Sequence, residues 1–472
     1  MKQTIKCLFA ALAAMLMSVA AFAQVTTSAL GGRVVDANGE PVVGVAVIAT
    51  HTPSGTVYGV TTNEAGRYTI NGMRSGGPYS VEFTCLGYQT VTYTDLTLQL
   101  AETSSLNATL NEDSEMLSEA MVIGAAASKF SAEKTGAATN ISSAQITSLP
   151  TVNRSITDVT RLSPYGGNGM SFAGSDGRTA NFTVDGANFN NNFGLSENLP
   201  GGGNPISIDA IEELQVVISP YDVRQTNFIG GGVNAITKSG TNTFKGTAYV
   251  YHRNENMRGN QVAGTEISGA RDRDRNTTYG FTLGGPIIKN KLFFFVNAEY
   301  SQTPSVAVRW RASENGVGNA DKYLSYTTVA DMERVQKHVM DKYGYDTGSF
   351  TDFPADQNNL KLLARLDWNI NDNHRLALRY NYTNNTGWNA PNSSSMDGGT
   401  RSAYGRTSLY SMAFANSMYS MNNLVHTVSL DLNSRIGDNL SNQFLATFSK
   451  LDDVRGTNSS EFPFIDIQDG TN

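Results

Sequence analysis

The chain is expected to be mainly β, in three parts: an N-terminal β-sandwich, a mixed α/β plug, and the first strands of a large antiparallel transmembrane β-barrel. Three observations lead there. Charged residues make up only 16% of a chain that carries 45 Gly, 20 Tyr and 21 Phe, a mix that favours strands joined by many turns. A secretion signal opens the sequence, yet no later apolar run reaches the roughly 18 to 20 residues a membrane helix needs, so a membrane protein of this kind must cross with strands. After Thr243 the apolar residues recur at every second position, with short turns at one end of the strands and long loops at the other.

Residues 1–23 read as a signal peptide. Lys2 and Lys6 supply a basic start, Leu8 to Ala21 an apolar stretch, and Ala21-Phe22-Ala23 an A-x-A cleavage site before Gln24. Cleavage removes Cys7 and leaves Cys85 alone, which excludes an intramolecular disulfide or a cysteine metal cluster. The formal net charge is −7, and the one Arg-rich stretch, Arg271, Arg273 and Arg275, is interleaved with Asp272 and Asp274. Nucleic acid is therefore not an expected partner. His51, His252, His338, His374 and His426 are scattered over different elements, and neither GxSxG nor HExxH occurs, so no enzyme, metal or cofactor is expected.

Residues 24–111 are expected to form the sandwich. Asn38-Gly39 and Glu64-Ala65-Gly66 lie between apolar runs, where glycine supplies the positive φ that a tight turn requires. The run GRVVDANGEPVVGVAVIAT, followed by TTNEAGRYTINGMRSGGPYSVEFTCLGYQT, resembles the carboxypeptidase regulatory-like domain, which implies a transthyretin-like sandwich. His51 is read as an ordinary surface or strand residue.

Residues 112–128 form a linker, acidic at first and then small and apolar, with a β-prone patch at Met121-Val122-Ile123. That patch either closes the sandwich, opens the next domain, or adds as a strand to the sheet edge of another protein. In the plug, 129–240, Ser142 with Gln145 three residues on marks a capped helix ahead of Ile146 and Leu149, and Arg154 to Leu162 a short amphipathic helix ending before Pro164. Asp185-Gly186 turns the chain after Phe182-Thr183-Val184. Ile206, Ile208, Ile211, Leu214, Val216 and Ile218, with polar residues between, read as a half-buried strand pair. Gly230, Gly231 and Gly232 then provide a tight backbone path, taken as the hinge between plug and barrel.

From 241 to 472 the strands alternate. Leu360, Leu362, Ala364, Leu366 and Trp368 share one face, with Lys361, Arg365 and Asp367 on the other. Across Asn371-Asp372-Asn373, the residues Leu376, Leu378, Tyr380 and Tyr382 oppose Arg379 and Asn381. The same hairpin pattern joins Thr277–Gly284 to Leu292–Tyr300 and Leu424–Asn433 to Asn442–Lys450, whereas the links Asn254–Asn276, Thr303–Asn359 and Thr383–Asn423 are long. Within the second long link, Val329, Met332, Val335, Val339 and Tyr343 outline an amphipathic helix. Seven strands are too few to close a lumen of the kind that about 22 strands enclose in plugged transporters. The barrel is thus expected to be incomplete, the sequence being the N-terminal portion of a longer protein.

LPTVNRSITDVTRLSP, NFTVDGANFNN and ISIDAIEELQVVISPYDVRQTNFIGGGVNAITKSGTNTFKG resemble successive plug motifs and the plug-to-barrel join of TonB-dependent outer-membrane receptors. The order of parts is similar to the Bacteroidetes-type arrangement with an extra N-terminal sandwich, and the wording to its Oar-like branch. The resemblance implies an outer-membrane location and active transport, with TonB and its inner-membrane energising complex as periplasmic partners and outer-membrane lipids around the barrel. It places the TonB box at Leu117, Ser118, Glu119, Ala120, Met121, Val122, Ile123 and Gly124, departing from the usual valine-rich form at Ala120, Met121 and Ile123. Arg154, Asp158, Arg161, Asp185, Glu212, Glu213 and Arg224 are the charged residues expected between plug and barrel.

The ligand is not legible: a glycan, a peptide or a protein would each suit the aromatic third outer loop, where Trp388, Tyr404, Tyr410 and Tyr419 are the candidate contacts. A surface lipoprotein is a further expected partner. The alternative function is an outer-membrane adhesin or protein-export channel of the Oar-like type.

Overall fold

The computed structural model of the chain describes residues 25–112, 121–124, 137–151, 154–190, 199, 204–220, 225, 227–266, 275–304, 308–390, 406–437 and 440–467. The signal-peptide reading of 1–23, the box residues Leu117 to Ala120, Arg224, Arg271 to Asp274, and Tyr404 lie outside the described residues.

The first unit is a two-sheet sandwich. Its strands are β1 (Ser28–Asp36), β2 (Ala46–His51), β3 (Thr56–Thr61), β4 (Arg67–Met73), β5 (Gly76–Thr84), β6 (Val91–Leu98), β7 (Thr103–Ser105) and β8 (Ala108–Leu110). One sheet centres on β1, with β4 antiparallel on one side and β7 and β8 parallel on the other; the second runs β3-β2-β5-β6. Alternating side chains from both sheets, among them Leu30, Val34, Val47, Val81 and Phe83, meet in a shared core. The turns obey the glycine reading: Gly66 has φ +69, and a Cβ there would stand 2.4 Å from the Val34 carbonyl oxygen. A ninth strand, β9 (Met121–Gly124), joins β6 in parallel and lengthens the second sheet to five. His51 lies on β2 inside the core rather than on the surface, its Nδ1 2.6 Å from Ser54 Oγ and its ring against Tyr79. Burial, helped by Arg74, holds its pKa down to about 3, so the ring stays neutral.

The middle unit comprises β10 (Ala137–Ser142), α1 (Ser143–Ser148), α2 (Ile156–Thr160), β11 (Asn181–Val184), β12 (Ala187–Asn188), β13 (Ile211–Ser219) and β14 (Gly232–Thr237), with sheet order β10-β13-β14-β11-β12. Both helices open on capping boxes, Ser142 with Gln145 and Ser155 with Asp158, which satisfy end N–H groups that have no helical partner. Its core gathers Phe182, Phe189, Ile211, Leu214 and Val216. The stretch around β13 is not half-buried as expected: Glu213, Leu214, Gln215, Val216 and Val217 are all buried, because Leu214 and Val216 face the domain core while Glu213 and Gln215, on the other side of the strand, face the sandwich.

The third unit is a seven-stranded antiparallel sheet in sequence order: β15 (Lys245–Arg253), then, past the small hairpin β16 (Gln261–Val262) and β17 (Thr265–Glu266), β18 (Asn276–Ile288), β19 (Leu292–Gln302), and, past the parallel pair β20 (Arg311–Ser313) and β21 (Leu324–Thr328) with helix α3 (Val329–Tyr343), β22 (Asn358–Asn369), β23 (His374–Asn389), β24 (Tyr419–Ile436) and β25 (Leu440–Gly456). Among the described residues its edges at β15 and β25 have no further strand beside them. Its faces are inverted relative to a soluble sheet: Lys361, Thr383 and Asp431 are 0–2% exposed, while Leu362, Leu366 and Tyr380 are 38–42% exposed. The polar face is covered by the middle unit, and Phe295, Leu363 and Val425 from the sheet enter that unit's core. The apolar face is bare, as a lipid-facing surface must be.

Two boundaries differ from the sequence reading. Strands β23 and β24 pair from His374↔Ser434 out to Asn389↔Tyr419, so the third long loop is shorter than Thr383–Asn423. The outer ends of these strands carry polar residues on both faces, and alternation stops where strands outrun the roughly ten residues that cross the bilayer. The turn from the middle unit into the sheet is made by residues 238–244, one strand beyond Gly230 to Gly232. Those glycines serve close packing instead, since a Cβ on Gly231 would stand 2.8 Å from the Phe172 ring and one on Gly232 2.8 Å from Phe228. Helix α3 covers the expected residues, with Thr328 as N-cap and Gly344 as a left-handed C-cap.

Replacing Leu362 with Arg puts a charge on the bare apolar face. It is expected to cost about 2–4 kcal/mol of folding stability if that position sits near mid-bilayer, read as a lowered unfolding midpoint in lipid vesicles, with the apolar Leu362→Val at the same position as the comparison.

Candidate functional site at the junction of three units

The sandwich sits against the short-turn end of the seven-stranded sheet. Its β3 edge accepts hydrogen bonds from the wall, the Arg375 guanidinium donating to the Val57 carbonyl and that of Arg435 to the Gly59 carbonyl. Asn369 Nδ2 donates to Thr56 Oγ1 at 3.0 Å, and Arg375 lies 4.0 Å over the Tyr58 ring. From the other side the middle unit meets the sandwich through its own strand β13. Glu213 accepts from the Leu100 N–H at 2.9 Å, from Asn140 Nδ2 at 3.0 Å, and from the Ser75 hydroxyl. Gln215 Nε2 donates to the Leu100 carbonyl at 2.8 Å, and Asn234 Nδ2 to that of Val25 at 2.6 Å.

Where the three units meet, charges balance. Arg365 grips Asp367 with two 2.8 Å hydrogen bonds on the wall, and Arg74 of the sandwich approaches the same carboxylate at 3.6 Å. Asp185 of the middle unit accepts from the Thr237 N–H and hydroxyl and lies 3.3 Å from Arg379 Nε. Arg379 also reaches Asp431 at 3.6 Å, and Asp431 accepts from Thr26 Oγ1 of the sandwich at 2.6 Å. Three guanidinium groups thus face three carboxylates. All of them except Asp185 line a cavity of about 430 Å³, to which Glu212 and Lys238 also contribute. Further along the wall, Lys361 pairs with Glu299 at 2.8 Å, and Glu299 accepts from Ser207 of the middle unit at 2.9 Å and from Tyr249 at 2.8 Å. Thr383 Oγ1 donates to the Pro205 carbonyl at 2.6 Å. Among the described residues no group of three or more His, Cys, Asp or Glu is arranged to hold a metal ion.

The residues singled out from the sequence fall in different places. Asp185 lies between the middle unit and the wall. Arg154 pairs with Asp209 and sits 4.1 Å from the ring centre of Tyr251 and 5.1 Å from that of Tyr249, both on β15. Asp158 closes the α2 capping box, and Arg161 donates to Asn168 within its own unit. Glu212 faces the cavity and Glu213 the sandwich rather than the wall. Trp388 and Tyr419 sit on the outer ends of β23 and β24, Arg455 lies over the Tyr419 ring at 5.2 Å, and Tyr410 rests on Tyr326. The outer loops support one another: Tyr326 N–H donates to the Leu409 carbonyl, and Ala415 N–H to that of Ser349. Arg74, Thr26 and Ser75 had no sequence signal, since each is an ordinary polar residue of a sandwich strand or its flank. Arg365, Asp367 and Arg379 did have one, as charges at inward strand positions.

The family model of the carboxypeptidase regulatory-like domain matches residues 29–111, and that of an outer membrane beta barrel domain matches residues 236–310. The chain is an outer-membrane protein built on a β-barrel domain that carries this N-terminal sandwich. Over 395 residues it is 27% identical to the TonB-dependent transporter Oar of Myxococcus xanthus, a match that covers 79% of this chain and 34% of the relative. The chain therefore spans about a third of that relative's length. Among solved structures it is similar to the outer membrane transporter YddB of Escherichia coli (TM-score 0.44, 13% identity, 68% of this chain and 40% of that one) and to the siderophore receptor PirA of Acinetobacter baumannii (TM-score 0.43, 17% identity, 70% and 43%).

Two outcomes are expected at the junction. Asp185→Ala leaves Arg379 facing a buried gap and should cost about 3–5 kcal/mol, the usual result of removing one member of a buried pair, read by thermal unfolding. Burial pushes the Glu213 carboxyl up to about 8, outweighing the hydrogen bonds from Leu100 and Asn140, with Glu212 and Glu102 adding to the rise. The docked carboxyl holds its proton where an undocked one, ordinarily near 4.5, has lost it. Docking is therefore fully present below about 4.5 and weakens as pH rises to about 8. Crosslinking between sandwich and middle unit should fall across that window, and Glu213→Gln should flatten the dependence.

Proposed function

We propose that the chain carries out TonB-dependent active transport of a ligand across the outer membrane, with the middle unit, 129–240, acting as a plug inside a barrel begun by 241–472. The observation that carries this reading is the inverted sheet, apolar outside and charged inside, whose charged face is filled by a separate folded unit through polar contacts. A filling held this way can leave or shift at modest cost, because each hydrogen bond or ion pair it breaks can be replaced by water, whereas a wholly apolar contact would expose its area.

In this reading the ligand engages the outer loops and the upper face of the plug. TonB, coupled to the inner-membrane energising complex, takes the box at 117–124 as an added strand. Pulling on the box then strains the junction at Asp185, Arg379 and Asp431, and the plug moves along the charged wall. The similarity to a TonB-dependent transporter supports the partner, and the position of Met121–Gly124 beside the sandwich, at the short-turn end, supports the side from which it acts. The glycan, peptide or protein ligand of the Trp388, Tyr410 and Tyr419 region, and a surface lipoprotein partner, belong to the same proposal.

Deleting residues 117–124 is expected to abolish retention of the periplasmic domain of TonB by immobilised full-length receptor while leaving the barrel assembled in the outer membrane. Undiminished retention would sink the reading.

A further inference from the structure

Met121–Gly124 is a strand. It pairs in parallel with β6 over four registered positions, Val91↔Met121, Thr92↔Val122, Tyr93↔Ile123 and Thr94↔Gly124. The opposite edge of β6 is taken by β5, so β6 is an interior strand and, among the described residues, β9 is the outermost strand of the sheet. A strand has two hydrogen-bonding edges. Only one of those on β9 is engaged by β6; the other is the outer edge of the five-stranded sheet. An extended segment with an unpaired edge and a fixed register is a ready template for another strand.

From this geometry we propose that the regulatory-like sandwich is a presenting surface for the box. It holds the segment extended on β6, and the strand of the periplasmic TonB domain adds to the outer edge of β9 as the sixth strand of the sheet. The inference rests on the box reading and assigns the sandwich a role within it. Presentation differs in sign from sequestration. A segment masked by β6 would have to leave before TonB could bind, whereas a presented one binds without leaving, and its extended backbone need not be ordered at that moment. The sandwich is suited to hold a strand still, being clamped by Arg375 and Arg435 to the wall and by Glu213 to the middle unit.

The test is a reversible lock. Thr92→Cys with Val122→Cys, in a Cys85→Ser background of the full chain, places two thiols on registered partners of neighbouring strands. Adjacent strands lie about 4.8 Å apart, inside the roughly 4.4–6.8 Å Cα separation that a disulfide spans. Binding of the purified cognate periplasmic TonB domain is measured before and after reduction of the same protein, so the reduced form controls for folding. The expected result is that the disulfide forms and the oxidised receptor binds as tightly as the reduced one, or up to roughly tenfold more tightly because the segment is already ordered. Two results overturn the proposal while the box reading stands: oxidised receptor that binds more weakly and is restored by reductant, or cysteines that do not pair in receptor that binds TonB. Reduced receptor that fails to bind TonB, like receptor without residues 117–124, removes the box reading and the proposal with it.

Discussion

A sheet that turns charged side chains inward has to find them partners, and most of the architecture follows from that constraint. Glu299, Lys361, Arg365, Asp367, Arg379 and Asp431 all point away from the apolar face and are buried. In a low-dielectric interior an unpaired charge is costly, so each must meet an opposite charge or several hydrogen bonds. The wall pairs some of them itself, as Arg365 with Asp367 and Lys361 with Glu299. Arg379 and Asp431 approach each other more loosely, at 3.6 Å, and the other two units add partners: Asp185 from the middle domain to Arg379, Arg74 from the sandwich to Asp367, and Thr26 from the sandwich to Asp431. The three-way junction is therefore the point at which separately folded cores become one molecule.

Such contacts specify position more than they add stability. Their Coulombic gain is largely offset by desolvation, and the folding energy of each unit comes from its own apolar core. The division would suit the proposed transport, in which the cores of the sandwich and the middle unit would stay intact while the charged face between middle unit and wall exchanged partners. Among the described residues, Phe295, Leu363 and Val425 of the wall enter the middle unit's core and Leu451 packs against it, a small apolar set beside either core.

Much of this was legible in the chain. The first helix of the middle unit could be read from the Ser142 and Gln145 cap and the second from the apolar spacing between Arg154 and Leu162, because both signals act over three or four residues; the Ser155 and Asp158 cap that starts the second was not read. Alternation in Leu360 to Trp368 and Leu376 to Tyr382 revealed the wall and its two faces, since strand periodicity depends on environment on each side and needs no knowledge of neighbours. The readings that changed were those that depended on what lies opposite. Glu213 looked like a charge for the barrel and faces the sandwich; β13 looked half-buried and is covered twice; Gly230 to Gly232 looked like the turn into the wall and are close-packing positions before it.

By itself, then, the sequence determined the compartment, the class of each unit, the inward and outward faces of the wall, and the β-prone patch near residue 121. These depend on composition and on short-range period, which any segment carries within itself. Only the tertiary structure decided that the patch pairs with β6, that Arg74 and Thr26 complete a charge cluster with Asp367 and Asp431, and that the sandwich closes the short-turn end. Those partners lie tens to hundreds of residues apart along the chain, from 30 between Val91 and Met121 to 405 between Thr26 and Asp431. No local pattern encodes such a pairing, because it is set by how preformed surfaces fit once the chain has folded.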